Sequence, residues 1–390
     1  MAAGRGRVRR GGGGGSVVGG SGTSAGGGGP VTASRDRYPL DASNQGRAAD
    51  VSSASGRERG DRHGAPAWAD RALSALLGRV SVTHAHVGDR FPLFAAPDTG
   101  TWTTSGRGSW TGGFWAGLLW LRAAHTGNEA DHAAAVRCTA RLATMLDADT
   151  ATRGLIFWYG TALADDSASQ VLRERAARAC LDAYDHELGL VPWGSAFGGP
   201  RLLARVDGVP GLVPLLATVD PCAARSLLRR HLELCLPAGG SGWCWRYEPR
   251  TGWTARRDPP PGWSRGRPWL LLALADAVRH LGPEGFRSVA AELLPPRGVP
   301  VADEGRPCGP LDTSAAAISA LALLKLGHRD QAADLLSELV GGHLSQDGRL
   351  LDGCYDLGSG TAVRHELVWG SFFLACALAV FTGRIGAYSA

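Results

Sequence analysis

The chain lacks the usual cysteine signatures. Its eight cysteines are scattered from Cys138 to Cys376 without a C-x-x-C pair or a close Cys/His spacing, which argues against structural zinc and against a redox dithiol. Several, Cys376 among them, fall in apolar helical pattern, where a reduced buried thiol behaves as a small hydrophobe. Cys244, Cys308 and His365 are followed by no Cys-His-Gly run, so no metal and no cofactor is expected. No run of 18 uncharged apolar residues appears, which leaves no candidate membrane span. The N-terminus has no apolar signal core either, because Arg5 to Arg10 leads straight into glycines, so a cytoplasmic location is expected. Also missing is a basic footprint on the body of the chain. Nine of the 41 basic residues and four of the 36 acids lie in the first 60 positions, leaving 32 of each for the rest. A nucleic-acid-binding fold carries its surplus on itself, so neither nucleic acid nor membrane is expected as a partner.

What is present divides at about residue 65. Residues 1–64 are rich in Gly, Ser, Ala and Arg and cannot bury a core, so a disordered tail is expected there. From Ala65 the texture becomes helical, and the hydrophobic fraction of 44% for the whole chain is that of a globular protein. The period predicts helices near 66–80, 111–127, 129–147, 153–164, 168–188, 207–219, 221–236, 265–281, 284–293, 312–326, 328–340 and 364–383. They alternate in character. Trp110–Trp120, Asp207–Ala217, Trp269–Ala275, Ser314–Leu324 and Leu367–Val380 are apolar nearly all round, whereas partners such as Ser169–Leu188 carry charge on one face. A helix apolar all round is buried and an amphipathic one covers it. Six of each predict an all-α (α/α)6 toroid over residues 65–390, and no strand pattern longer than a few residues competes.

In such a barrel the loops entering the buried helices gather at one end. Those loops hold many of the 13 tryptophans, including Trp102, Trp110, Trp193, Trp243, Trp245, Trp253 and Trp263, which marks that end as concave and binding. One acid stands out there, Asp207, at the head of the apolar run Val209–Leu216. A carboxylate at that point suits a helix N-cap. It also lies between Trp193 and the group Trp263, Arg265 and Trp269, and aromatics with one acid and one Arg suit a sugar acid.

Several stretches together resemble a known family. Ser109-Trp110-Thr111-Gly112-Gly113-Phe114-Trp115, Tyr247-Glu248-Pro249-Arg250-Thr251-Gly252, Gly262-Trp263-Ser264-Arg265-Gly266-Arg267-Pro268-Trp269, Leu311-Asp312-Thr313-Ser314 and Val368-Trp369-Gly370-Ser371-Phe372-Phe373 are similar, in order, to motifs of the unsaturated glucuronyl hydrolases. The resemblance runs from about Phe91 to Phe381. It implies the same (α/α)6 barrel and an enzyme that releases a 4,5-unsaturated uronic acid from the non-reducing end of oligosaccharides or of a glycosylated metabolite. The chemistry it implies is hydration of a vinyl ether, with one carboxyl group serving as acid and then as base, so a pair of carboxylates is not required. Asp207 matches the family's acid/base. Trp110 and Trp193 would then stack on sugar rings, and Trp263, Arg265 and Trp269 would shape the uronate subsite, where a guanidinium can fork a carboxylate. To deliver a proton near neutral pH the acid must hold one, and desolvation among indoles favours the neutral form.

The chain departs from the family pattern at polar positions. A second family Asp falls on Thr152, a substrate-side His on Trp243, a Gln on Arg267, and the Asp of the closing motif on Ser371. These changes predict a more cationic and more aromatic pocket, with Thr152, Trp243 and Arg267 among its binding residues. The alternative they suggest is a catalytically inactive relative that binds sugar acids or a protein partner. Asp312 is expected to cap its helix, and His231 and His280 to lie at the surface.

Overall fold

A computed structural model describes residues 66–236 and 242–390; the tail expected over residues 1–64 lies outside them. Twelve α-helices among the described residues form two concentric rings. The inner ring comprises α2 (Gly112–Thr126), the short α4 (Tyr159–Thr161) with the π-turn Gly154–Trp158 before it, α6 (Leu212–Ala217), α8 (Gly266–His280), α10 (Thr313–Leu326) and α12 (Val368–Phe381). The outer ring is α1 (Ala67–Val87), α3 (Glu129–Arg141), α5 (Ser167–Asp182), α7 (Pro221–Cys235), α9 (Phe286–Glu292) and α11 (Arg329–Glu338). Each inner segment packs on two inner neighbours, and α12 packs back on α2 to close the toroid.

Burial follows the composition. Residues Thr313 to Lys325 of α10 are all buried, as is every residue of α12 except Val380. The outer α7 instead buries one stripe through Ala224, Leu227, Leu228, His231 and Cys235 and turns its arginines outward. Inner helices pass to outer ones through short links, several ending in a capping residue that accepts backbone N–H groups: Asn128 for α3, Asp166 for α5 and Asp220 for α7.

The long connections run the other way, from outer to inner helices, and hold all seven strands. One sheet has the order β2 (Trp102–Ser105), β1 (Phe91–Ala95), β7 (Thr361–Leu367), β6 (Gly353–Asp356), and the other is β3 (Leu203–Arg205), β4 (Cys244–Glu248), β5 (Gly252–Ala255). At three to seven residues each they are too short to show an alternating pattern. They do move two expected boundaries. Residues 364–367 belong to β7, so the last helix starts at Val368, and the helix expected over 207–219 narrows to α6 because Pro210 and Gly211 interrupt it.

At the opposite end, where inner helices finish, lies Lys325, the only lysine of the chain. Its ammonium meets Asp276 of α8 at 2.6 Å with both side chains almost wholly buried, and it also donates to the backbone oxygen of Ala390.

Candidate active site

Asp207 does not cap a helix. Arg205 ends β3 opposite Cys244 of β4, Val206–Gly208 forms a single 3₁₀ turn, and Gly211 at φ 75° leads into α6. A Cβ at Gly211 would come within 2.2 Å of the Gly154 carbonyl oxygen, so both the backbone angle and the close approach require glycine. The turn is thus clamped against the start of the π-turn, and the neighbouring Ala151 donates its N–H to the Trp193 carbonyl at 3.0 Å.

Both Asp207 oxygens accept from the Arg205 fork, Nε to Oδ1 at 3.0 Å and Nη2 to Oδ2 at 2.9 Å. The guanidinium carbon lies 4.5 Å from the centre of the Trp193 ring. The two charged side chains keep 20% and 18% of their surface exposed, for Arg205 and Asp207 respectively, so the pair is reached by solvent without facing bulk water. Burial works against the Arg205 charge, but the facing carboxylate and its hydrogen bonds outweigh it and hold the guanidinium pKa above the usual arginine value. The guanidinium expected to face the acid among indoles is therefore present, but Arg205 supplies it and not Arg265.

Behind the pair sits His231 of α7, buried and not at the surface as expected, because its position falls on the inward stripe of that helix. Its Nδ1 lies 2.8 Å from the Leu227 carbonyl oxygen. Burial pushes its pKa down to about 4 against the raising field of Asp207. His280 is half-buried against Trp158, 5.6 Å between ring centres. The Cys244 thiol is pushed up by burial to about 11, so it is no thiolate nucleophile at neutral pH.

A second group gathers around the start of α12. Trp110 is half-buried, donates its indole N–H to the Tyr355 hydroxyl at 3.1 Å and packs 4.9 Å from Trp369. Trp263 lies 4.9 Å from the Arg265 guanidinium carbon. Arg265 is almost entirely buried and already engaged: Nη1 donates to Asp312 Oδ2 at 2.6 Å and to the Cys354 carbonyl, and Nη2 donates to the Tyr355 carbonyl at 2.7 Å. Asp312 caps α10 through the Ser314 N–H at 3.2 Å and accepts from the Ser264 hydroxyl at 2.7 Å. Arg265 thus holds loops together, and its commitment to these three partners leaves it a poor fork for a sugar carboxylate. The Trp369 Nε1 and Ser371 Oγ atoms, in the first turn of α12, are buried with no hydrogen-bond partner among the described residues.

The remaining expected residues divide. Trp243 is buried, its indole laid on Gly266 so closely that a Cβ there would come within 2.3 Å of the ring, and its Nε1 donates to the Pro261 carbonyl at 2.7 Å. Trp243, Trp263, Ser264 and the half-buried Arg267 line one cavity of about 120 Å³, below the ~300–1,000 Å³ of ligand sites. Trp269 is 1% exposed and packs edge-on against Phe373; the inward face of α8 puts it in the core and away from any subsite wall. Thr152 is also buried, its hydroxyl 2.9 Å from that of Thr150. The expected residues and their neighbours thus form two groups in the loops before the inner helices, Trp193–Arg205–Asp207 and Trp110–Tyr355–Arg265–Trp263. They are joined by the Trp243 segment, whose carbonyl accepts the Val206 N–H at 3.0 Å. Arg205 and Tyr355 escaped the sequence reading, and His231 was placed at the surface instead of behind the pair. For Arg205 the signal was its position two residues before the acid, a separation that a long guanidinium side chain can bridge to form a fork.

The arrangement is that of a helical toroid whose connecting loops place the partly exposed Asp207 carboxylate beside the Arg205 guanidinium, itself packed on the Trp193 indole. No family profile matches the chain. The unsaturated glucuronyl hydrolase of Bacillus sp. (strain GL1) is 24% identical over 361 residues, covering 79% of this chain and 95% of that relative. Among solved structures, an unsaturated glucuronyl hydrolase specific for heparin superposes with a TM-score of 0.72 at 19% identity, over 81% of this chain and 97% of the other. A variant of the Streptococcus agalactiae enzyme complexed with dGlcA-GalNAc6S gives 0.61 at 17%, over 80% and 91%. In fold the chain matches the unsaturated glucuronyl hydrolases, and in sequence it is similar to one of them at 24% identity.

Proposed function

We propose that the protein is a glycoside hydrolase that removes a 4,5-unsaturated uronic acid from the non-reducing end of an oligosaccharide or a glycosylated metabolite, with Asp207 as its acid and base. Asp207 protonates C4 of the vinyl ether while positive charge builds at C5 and the ring oxygen. The resulting carboxylate takes a proton from the water that adds to C5, and the hemiketal so formed opens and sheds the remaining sugar. The chemistry asks for no metal and no cofactor. Trp193 and Trp110 supply flat faces for sugar rings.

The observation that carries this reading is the placement of Asp207: on a clamped turn at the loop end, beside Trp193, with its carboxylate within reach of solvent. The test follows the ultraviolet absorbance of the C4–C5 double bond in unsaturated disaccharides. Its loss with wild-type protein, and its persistence with Asp207→Asn, is the expected result. Equal loss with the variant refutes the assignment.

One observation favours a second reading, a non-catalytic binder of sugar acids. Thr152 and Trp243, which stand where the family carries polar groups, are taken up in packing. Binding of glucuronate without any absorbance loss, across several unsaturated disaccharides, decides for it.

A further inference from the structure

Both oxygens of Asp207 accept N–H groups from one guanidinium. That bidentate arrangement suits an ionised carboxylate, whereas an acid has to carry a proton on one of those oxygens. At least one bond of the fork must therefore break before Asp207 delivers a proton. Arg265, the cation that the resemblance assigns to the uronate, is buried on Asp312 and two carbonyls. Arg205 is placed differently. Its Nη1 hydrogens lie outside the fork, a fifth of its side chain is exposed, and one face rests on the half-buried Trp193. A cation held by a ring keeps its place when its carboxylate partner changes.

We propose that Arg205 is the anion-reading group of this site, and that its ion pair with Asp207 is a lock opened by the carboxylate of an incoming sugar acid. The inference deepens the proposed function and rests on it for the role of Asp207 as acid. The sugar carboxylate takes the guanidinium, Asp207 is released beside it, and the freed carboxylate takes one proton from solvent. Charge balances: the pair Arg205⁺/Asp207⁻ becomes Arg205⁺/sugar⁻ with a neutral Asp207. Binding of an anionic sugar thus loads the acid, whereas a neutral sugar leaves the pair closed. The device selects for uronates in the loading step itself, without requiring Arg265 to leave Asp312.

The test is calorimetric titration of the full chain with glucuronate and, separately, with glucose, in two buffers of different ionisation enthalpy. The expected result is uptake of about one proton per glucuronate bound by wild type and none with glucose. Arg205→Gln, checked for folding by circular dichroism, weakens glucuronate about tenfold or more and abolishes the uptake. Arg205→Lys keeps the charge without the fork and restores part of both, and Asp207→Asn binds glucuronate without proton uptake. Unchanged affinity in Arg205→Gln places the anion elsewhere, for instance at Arg267, and overturns the inference. Binding without proton uptake by wild type overturns it as well, as does no binding of glucuronate at tens of millimolar. Proton-coupled glucuronate binding in a protein that never consumes an unsaturated disaccharide overturns the hydrolase reading and leaves the lock standing.

Discussion

Arg265 and Asp312 meet at 2.6 Å with 7% and 0% of their side chains exposed, and through them the loop before α8, the cap of α10 and the strand β6 become one unit. Removing one member of a buried pair leaves the other charge without its partner, at a cost of about 3–5 kcal/mol. Arg265→Gln is therefore expected to lose roughly that much stability in urea unfolding monitored by circular dichroism. A variant of unchanged stability with a raised KM would return Arg265 to the role of uronate clamp.

Asp207→Asn keeps the shape of the carboxyl and removes its acidity. Loss of a positioned acid typically costs 10²–10⁴ in rate, and turnover of an unsaturated disaccharide is expected to fall by about that range, with the melting temperature little changed. Absorbance kinetics and thermal unfolding on the same preparation separate lost chemistry from lost structure.

The contact between Trp243 and Gly266 leaves no room for a methyl group. Gly266→Ala is expected to cost about 1–3 kcal/mol, the usual range for overpacking. The penalty should shrink in a Trp243→Ala background, because the ring that a Cβ would strike is gone. A double-mutant cycle by chemical denaturation measures the difference.

How much of this could be read from the chain depends on the length scale of the signal. The two rings were legible because α10 and α12 are apolar all round while α7 shows a stripe, and burial follows such periodicity directly. The loop end was legible because tryptophans and prolines collect before the inner helices. Short-range detail was not. The N-cap expected at Asp207 competes with a fork from Arg205, two residues away, and a cap preference of about 1 kcal/mol is easily outweighed by a charge-assisted pair. Arg265 reads as a free guanidinium until its partners arrive from residues 312, 354 and 355. Trp269 sits in a site-like motif, yet the helical turn that follows Arg265 rotates it into the core.

His231 makes stability depend on pH. Its folded pKa is depressed to about 4 by burial, with Arg230 adding to the depression and Asp207 opposing it, while the unfolded side chain titrates near ~6.5. Between those values the unfolded chain binds the extra proton, so the contribution is full above about 6.5 and is lost as pH falls toward about 4, by up to ~1.4 kcal/mol per pH unit. His125 and His280 shift in the same direction. In His231→Leu the slope of unfolding free energy against pH over this window is expected to drop by one proton's worth, as read from denaturant midpoints at pH 4.5, 5.5 and 6.5.

The one lysine of the chain is sealed beneath α10 against Asp276. Reagents that acylate primary amines consequently find no side chain to modify on the folded barrel. A succinimidyl dye should tag Lys325 only after denaturation, which makes peptide mapping of that tag a direct gauge of how often the base of the toroid opens. Immobilisation or crosslinking of the native protein through lysine is ruled out by the same burial, whereas guanidinium- and carboxyl-directed chemistry has targets in plenty.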